Sequence, residues 1–569
     1  MARRSPRLHP WIDRRGFVGL SLAVAACGPG SGGGGGGRGG PNGDFTYPAS
    51  DYRSGGGGKR GGTIRIATST DTGTLDVHAI SHGNVQWLGR MLFDNLVYLD
   101  ATGAISSWIA REWTISPDGL VYTFRLRPGV TFSDGMPLDA EAVRTNLEHM
   151  RDPRTKSPLA AAYIAPYVEG RAIDPLTFEA RLAYPYAPFL NVLAQSWLGL
   201  ISPRQIREAP QTIADRPIGS GPFTVERYVR QQGIRLKRRD DYAWAPDVVA
   251  HRGAALLDAI EVDIVPEALS RYAGLAQGQY HLLADTPYAK AAAIRADPAL
   301  VVDSRIRTGL PWRALSFNTE RWPFDDVRLR QALALGIDRE GITRSVFFDE
   351  FLPSDNFLAR TTRHYDPSTK GKLPFDPADA NRRLDALGWA ARDTDGYRTK
   401  DGRRLSATLI AQDSPSATPI NVAVQSNLKK LGFDLKIELL PTPVLTDRRN
   451  RGDYQAVAGG VWHTNTPDAL YILHHSNEIT SPKRIGQNVS RLRDGRLDDL
   501  LERARRTSDD NQQRVLYAAA QHRLIELVPS VPLDENHSLI AYRRELKGLV
   551  FDTSHNTPQF LSAWLEPTA

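Results

Sequence analysis

No folded core can form across Gly28 to Gly62. This stretch, which opens GPGSGGGGGGRGGPNGD, holds few apolar side chains, and glycine loses more conformational freedom on ordering than any other residue. It divides the 569-residue chain into a short head and a long body, and it predicts that folding starts only at GGTIRIATS, Gly61 to Ser69, where apolar and polar residues alternate as in a strand. As a flexible chain the stretch has a root-mean-square reach of roughly 30 Å. The chain's single cysteine, Cys27, stands directly in front of it. One thiol makes no intrachain disulfide and no thiolate metal cluster, so packing alone must hold the body together.

In the head, Arg3, Arg4, Arg7, Arg14 and Arg15 precede one apolar stretch, Phe17 to Ala26, and small residues lead into Cys27. A positive start, a short apolar middle and a small-residue cleavage site form the order of an export signal. Ten residues rise only about 15 Å as a helix, half of a hydrocarbon core, which is too short for a stable membrane span. The string DRRGFVG resembles the twin-arginine export signal, and VAAC resembles the lipobox of bacterial lipoproteins. These resemblances imply removal of residues 1–26 and acylation of Cys27, with 27–62 as a flexible tether. Acyl chains contribute about 0.8 kcal/mol per buried methylene, so two or more would hold the protein at a membrane surface. No later segment approaches the roughly 18 consecutive apolar residues of a spanning helix.

The body is long enough for two or three domains. Its 71 Lys plus Arg against 64 Asp plus Glu give a formal charge of +7. Basic residues alternate with acidic ones, which reads as a solvated surface and argues against nucleic-acid binding. In ISPDGLVYTFRLRPGV, Pro117, Asp118 and Gly119 form a turn and Tyr122, Phe124 and Leu126 share a strand face, so a hairpin is expected. Asp139 is placed to cap a following helix, Asp325 or Asp326 a second, and Asp338 a third. Near the end two helices are expected on either side of Thr507 to Asp510, followed by the strand VPSVPL. Mixed strands and helices without a fixed repeat exclude a solenoid or propeller.

Five strings carry a family likeness: SPDGLVYTFRLRPGVTFSDGMPLDAEAV, PIGSGPF with RRDDYAW behind it, LSFNTERWPFDDVRLRQALALGIDREGI, DPADANRRLDALGW and RGDYQAVAGGVW. In this order they resemble the solute-binding proteins of ABC importers in the dipeptide, oligopeptide and nickel group, bacterial extracellular solute-binding family 5. The likeness runs from about Gly62 to the C-terminus. It implies a two-lobed α/β fold of the periplasmic-binding-protein type II class, with an extra subdomain inserted in lobe one. Carried onto this sequence, lobe one comprises 63–115, 220–315 and 539–569, the subdomain 116–219, and lobe two 316–538. The chain would pass between lobes near Leu315 to Asn318 and Leu533 to Ile540.

The resemblance further implies an extracytoplasmic, monomeric protein without cofactor or metal that closes on a solute and presents it to an ABC permease and its ATPase. It places the ligand just after the strand YQAVAGGV, which delivers Trp462, His463, Thr464, Asn465 and Asp468. A flat indole at a cleft wall supplies large contact area at low entropy cost. From lobe one, Asn84 and Gln86 after the opening strand and Trp312 and Arg313 before the passage are the candidates. Peptide-binding members place an aspartate three residues after the tryptophan to meet the ligand's ammonium; here that position is Asn465, and an amide lacks the charge that makes such a bond strong. Peptide remains the leading ligand class, with an opine-like, glycosidic or other small polar solute close behind. A secreted lipid-anchored hydrolase is the rival class, although no nucleophile, base and orienting group stand out as a set. His474 and His475, adjacent in YILHHSNE, are poor co-ligands for a metal because neighbours do not share a helix or strand face.

Overall fold

The computed structural model describes residues 58–80, 84–100, 103–157, 159–311, 313–413, 417–460, 465–482, 484–535, 537–552 and 557–567. Cys27 and the rest of the head lie outside the described residues. The opening strand β1 (Thr63–Thr68) forms as expected, with Ile64 and Ile66 buried against Trp87, Leu88 and Met91 of helix α1 (Asn84–Leu92).

The expected hairpin follows as β2 (Ala110–Ile115) and β3 (Val121–Leu126). Gly119 turns between them at φ +71°, a left-handed conformation that a side chain resists. Tyr122, Phe124 and Leu126 are all buried, as their alternation requires. Helix α2 (Ala140–Arg151) starts at Asp139, whose carboxylate accepts from the Ala142 N–H. Strands β4 (Tyr167–Asp174) and β5 (Thr177–Leu182) complete an antiparallel sheet in the order β2-β3-β5-β4. This is the inserted subdomain, whose Phe124, Phe178, Phe189 and Trp197 share a core with Tyr98 and Tyr242 of the first lobe. Its sheet begins at Ala110, ahead of the expected boundary at 116, because β2 takes its ladder from β3 and a hairpin folds as a unit.

The chain then returns to the sheet of β1 through β6 (Phe223–Val229), β7 (Gly233–Arg238), β8 (Ala259–Ile264), β9 (Leu282–Leu283) and β10 (Leu300–Ile306). A passage leads to β11 (Arg313–Phe317), the first strand of a second sheet. Helices α3 (Val327–Leu335) and α4 (Arg339–Phe347) follow, capped by Asp326 and Asp338. Then come β12 (Ser406–Gln412), β13 (Asp434–Leu440), α5 (Thr442–Arg451), β14 (Ala456–Gly460) and α6 (Ala469–His474). The expected helix pair is α7 (Gly495–Arg506) and α8 (Asp510–Leu527), with Asp509 capping the second, and VPSVPL supplies β15 (Ser530–Asp534). The chain crosses back into β16 (His537–Arg543).

The first lobe is a seven-stranded sheet in the order β10-β16-β9-β1-β8-β7-β6, and the second a five-stranded sheet in the order β13-β12-β14-β11-β15. Both contain parallel pairs, β1 with β8 and β12 with β13, so both lobes are α/β. The two passages between them lie between Ile306 and Arg313 and between Asp534 and His537. The first lies ahead of Leu315 to Asn318, because Leu315 and Phe317 point into the lobe-two core with Leu333, Leu409 and Val531.

Candidate functional site

The lobes are joined where β11 and β15 run antiparallel, with a bulge between Arg313 and Ala314. Arg313 pairs with Asp534 across the two strands at 2.8 Å, and its guanidinium lies 4.6 Å from the centre of the Phe347 ring. Burial pushes the Asp534 carboxyl up to about 6 against the pull of Arg313. In the second passage burial pushes Glu535 up to about 7, although Arg360 stands 3.1 Å away. Phe351 of lobe two stacks on His537 of lobe one and meets Tyr288 edge-on, with ring centres at 4.9 Å in both cases. Charge pairing and aromatic packing thus fix the ends of both passages.

Beside the passages, a pocket with a cavity volume of about 60 Å³ and an open mouth indents one face of the second sheet. The two-residue period of the strands decides who faces it. Ala314 and Ser316 of β11, Val457 and Gly459 of β14, and Ser530 and Pro532 of β15 line the pocket, while Leu315, Phe317 and Val531 face the opposite core. These pocket-facing side chains are small, which is why space remains. A Cβ placed on Gly459 would meet nothing within 4 Å. Leu310 and Pro311 of the first passage close one side, α5 contributes Arg449, and α6 contributes Leu473 and His474.

Two side chains in this wall carry an enclosed nitrogen without a hydrogen bond among the described residues. The Nε of Arg449 is enclosed without a hydrogen bond, and burial holds its guanidinium below the usual arginine range. His474 is 5% exposed, its Nδ1 is enclosed and unbonded, and burial lowers it to about 3, so the ring is neutral at physiological pH. The ring of Phe357 meets it edge-on at 5.5 Å. Among the described residues lining the pocket there is no Asp, Glu or Lys.

The residues expected from sequence fall elsewhere. Asp468 is buried, and its Oδ2 accepts from the Tyr186 hydroxyl at 2.8 Å and from Arg505 Nη2 at 3.1 Å. The Arg505 guanidinium lies between Tyr471 and Tyr186, 3.6 and 4.8 Å from their ring centres. Asn465 is also buried, and its Oδ1 accepts from Gln195 Nε2 at 2.8 Å. Tyr186 and Gln195 belong to the inserted subdomain, so both contacts join that subdomain to lobe two. Arg313 is engaged at the passage, and none of Arg313, Asn465 and Asp468 lines the pocket. Asn84 and Gln86 lie in the first turn of α1. Trp312, Trp462, His463 and Thr464 lie outside the described residues.

Sequence reasoning missed Arg449, which is hidden among basic neighbours in DRRNRGDY. One signal was present: Leu445, four residues earlier on the same helix face, is buried. His474 was weighed as a metal ligand and not as a pocket wall.

A model of the bacterial extracellular solute-binding proteins, family 5 Middle, matches residues 104–480. The glutathione-binding protein GsiB of Escherichia coli (strain K12) is 25% identical over 495 residues, covering 85% of this chain and 91% of that protein. The periplasmic binding protein DppA from Helicobacter pylori, solved with the peptide STSA, superposes with a TM-score of 0.76 at 25% identity over 90% of this chain and 99% of its own. The oligopeptide-binding protein AppA from Bacillus subtilis, solved with a nonapeptide, gives 0.77 at 21% identity over 90% of this chain and 100% of its own. Among the described residues, no helix is long and apolar enough to cross a membrane.

Proposed function

The chain belongs to the bacterial extracellular solute-binding proteins of family 5 and serves as the solute-binding component of an ABC importer; from that premise we propose that it closes its two lobes on a peptide-like solute seated in the pocket beside the passages. The observation that carries this reading is the position of the pocket. Leu310 and Pro311 of its wall belong to the first passage itself, so a change in the angle between lobes must move that wall. Hinge closure draws its free energy from contacts that exist only in the closed form, and a solute touching a passage can supply them.

The protein acts as a monomer without catalytic chemistry, and acylated Cys27 with its glycine tether holds it at the outer face of the cytoplasmic membrane, above the permease. Peptide is preferred because GsiB is a glutathione-binding protein and DppA and AppA were solved with bound peptides. Mass spectrometry of small molecules released from the denatured protein, followed by a thermal-shift panel of peptides, opines and sugars, tests the reading. A bound solute stabilises by RT ln(1 + [L]/Kd), about 2.7 kcal/mol at a hundredfold excess. A panel without any stabilising solute, or steady product release from a peptide or ester, overturns it. For the anchor, Cys27→Ser is expected to move the protein from the membrane to the soluble fraction.

A further inference from the structure

One short run of lobe two holds both passages. In the first passage the Gly309 N–H donates to Thr362 Oγ1 at 2.7 Å, and the Gly309 carbonyl accepts from the Thr362 hydroxyl at 2.7 Å and from the Ala359 N–H at 2.9 Å. The Arg307 carbonyl accepts from the Thr361 hydroxyl at 3.0 Å. In the second passage the Glu535 N–H donates to the Leu352 carbonyl at 2.9 Å. The Glu535 carboxylate accepts from the Arg360 N–H at 3.3 Å and from Arg360 Nε at 3.1 Å. The run therefore alternates. Ala359, Thr361 and Thr362 bind the first passage, and Arg360 between them binds the second.

Arg360 is fastened on its own side as well. Its Nη2 donates to the Pro353 carbonyl at 3.1 Å, and Pro353 forms an isolated bridge with Asp534 at the start of the second passage. Glu535 and Thr362 are fully buried, whereas the Arg360 side chain is 40% exposed, so the pair has one enclosed end and one solvated end. The lobe-one side is held differently. Arg307 Nε and Thr308 Oγ1 of the first passage, and Thr286 Oγ1 of lobe one, are enclosed without a hydrogen bond among the described residues. Movement there breaks no bond of these three atoms, while movement at the lobe-two ends would break the set above, so bending is directed to the lobe-one ends.

We infer that Arg360 is a positioning residue that makes the two passages one hinge: by tying Glu535 to the run that also holds Gly309, it makes both passages open and close as a single unit. Two passages bending independently would let the lobes twist as well as close, whereas coupled passages leave one closing direction. The inference concerns how the lobes move and holds whichever solute they enclose.

Hydrogen exchange of the mature, solute-free protein, read at the passage amides, tests it. In wild type the Gly309 and Glu535 amides are expected to show protection equal within about threefold, as members of one opening unit. Glu535→Met removes the acceptor and leaves Arg360 in contact with water, and an apolar side chain in place of a buried charge is not expected to lower overall stability. It is expected to raise exchange at Gly309, in the other passage, at least about tenfold, the scale of one hydrogen bond to a charged group. Glu535→Gln keeps an oxygen for Arg360 and is expected to raise it less than about threefold. Thr362→Val, which releases Gly309, is expected to raise exchange at Glu535 about tenfold. Amides of β1 should stay within about threefold of wild type throughout, which separates loosening of the hinge from global unfolding. Variants that each speed only their own passage, or Glu535→Gln exchanging at Gly309 as fast as Glu535→Met, overturn the inference. If Glu535→Met does not fold, Thr362→Val read at Glu535 decides alone.

Discussion

Asp468 offers the sharpest test of whether a polar residue beside the expected ligand site serves the solute or the frame. Its carboxylate bonds to Tyr186 and Arg505, and Arg505 is nearly enclosed between two tyrosine rings. Removing one partner of a buried ion pair costs about 3–5 kcal/mol, because the other charge is left without compensation. Asp468→Asn keeps one oxygen that can still accept from the Tyr186 hydroxyl, a neutral bond worth about 1 kcal/mol. The expected net loss is therefore about 2–4 kcal/mol. Tyr186→Phe strands no charge and loses one hydrogen bond to a carboxylate, about 1.5–3 kcal/mol. The two residues touch, so the double variant should lose less than the sum of the single losses. Urea unfolding of the solute-free protein, followed by tryptophan fluorescence, measures the losses. Hydrogen exchange over residues 183–195 and 465–475 shows whether the joint between subdomain and lobe two opens first, which matters because a protein of several lobes need not unfold in one step. The reasoning fails if Asp468→Asn matches wild type within about 0.5 kcal/mol in solute-free protein while solute binding collapses. Asp468 would then be a ligand contact.

Gly459→Val should fill the pocket without harming the strand, since the added carbon meets nothing within 4 Å and a β-branched residue suits a strand; melting should hold while solute affinity falls at least about tenfold. Gly486→Ala is the contrast, because its Cβ would collide with the Glu478 carbonyl oxygen, and unfolding experiments should show a loss of about 1–3 kcal/mol. His474, lowered to about 3 in the folded protein, contributes stability that is present above pH 6.5 and lost as pH falls, since only the unfolded chain takes up the proton there. Denaturation at pH 7, 6 and 5 should accordingly show His474→Gln losing about 1 kcal/mol less than wild type per pH unit between 6 and 5. Arg313→Met leaves Asp534 buried and alone, which should cost about 3–5 kcal/mol at pH 7.5. Asp534 protonates readily because burial has already raised it to about 6, so that deficit should shrink on acidification to pH 5.

What the sequence made legible was governed by near neighbours. The caps at Asp139 and Asp338 each accept from an N–H three residues on, and the turn at Gly119 depends on one backbone angle. The alternation of Tyr122, Phe124 and Leu126 needed only the strand period to show which side would be buried. The two-lobed class followed from collinear strings resembling a family, not from any of these local rules. Boundaries were less legible: whether Leu315 lies in a passage or a core depends on Val531 and Leu333, which no local pattern brings beside it.

The site itself was the least legible part, for a physical reason. A carboxylate or guanidinium can bind a ligand only if the fold has not already used it, and the fold's claims come from far away. Tyr186 reaches Asp468 across 282 residues of sequence, and Gln195 reaches Asn465 across 270. Both candidates were the right residue types in the right region, yet Asn465 Oδ1 and Asp468 Oδ2 hold the subdomain and Arg505, and only Asn465 Nδ2 and Asp468 Oδ1 are enclosed without a hydrogen bond among the described residues. Arg449 shows the converse. By residue type it equals Arg448 and Arg451, and only its position on α5 separates their ion pairs from a half-buried guanidinium without one among the described residues. Availability, not residue type, is what marks a binding group. It becomes visible only after the long-range partners are assigned, and among the described residues Arg449 in the pocket wall is one group left without an ion pair.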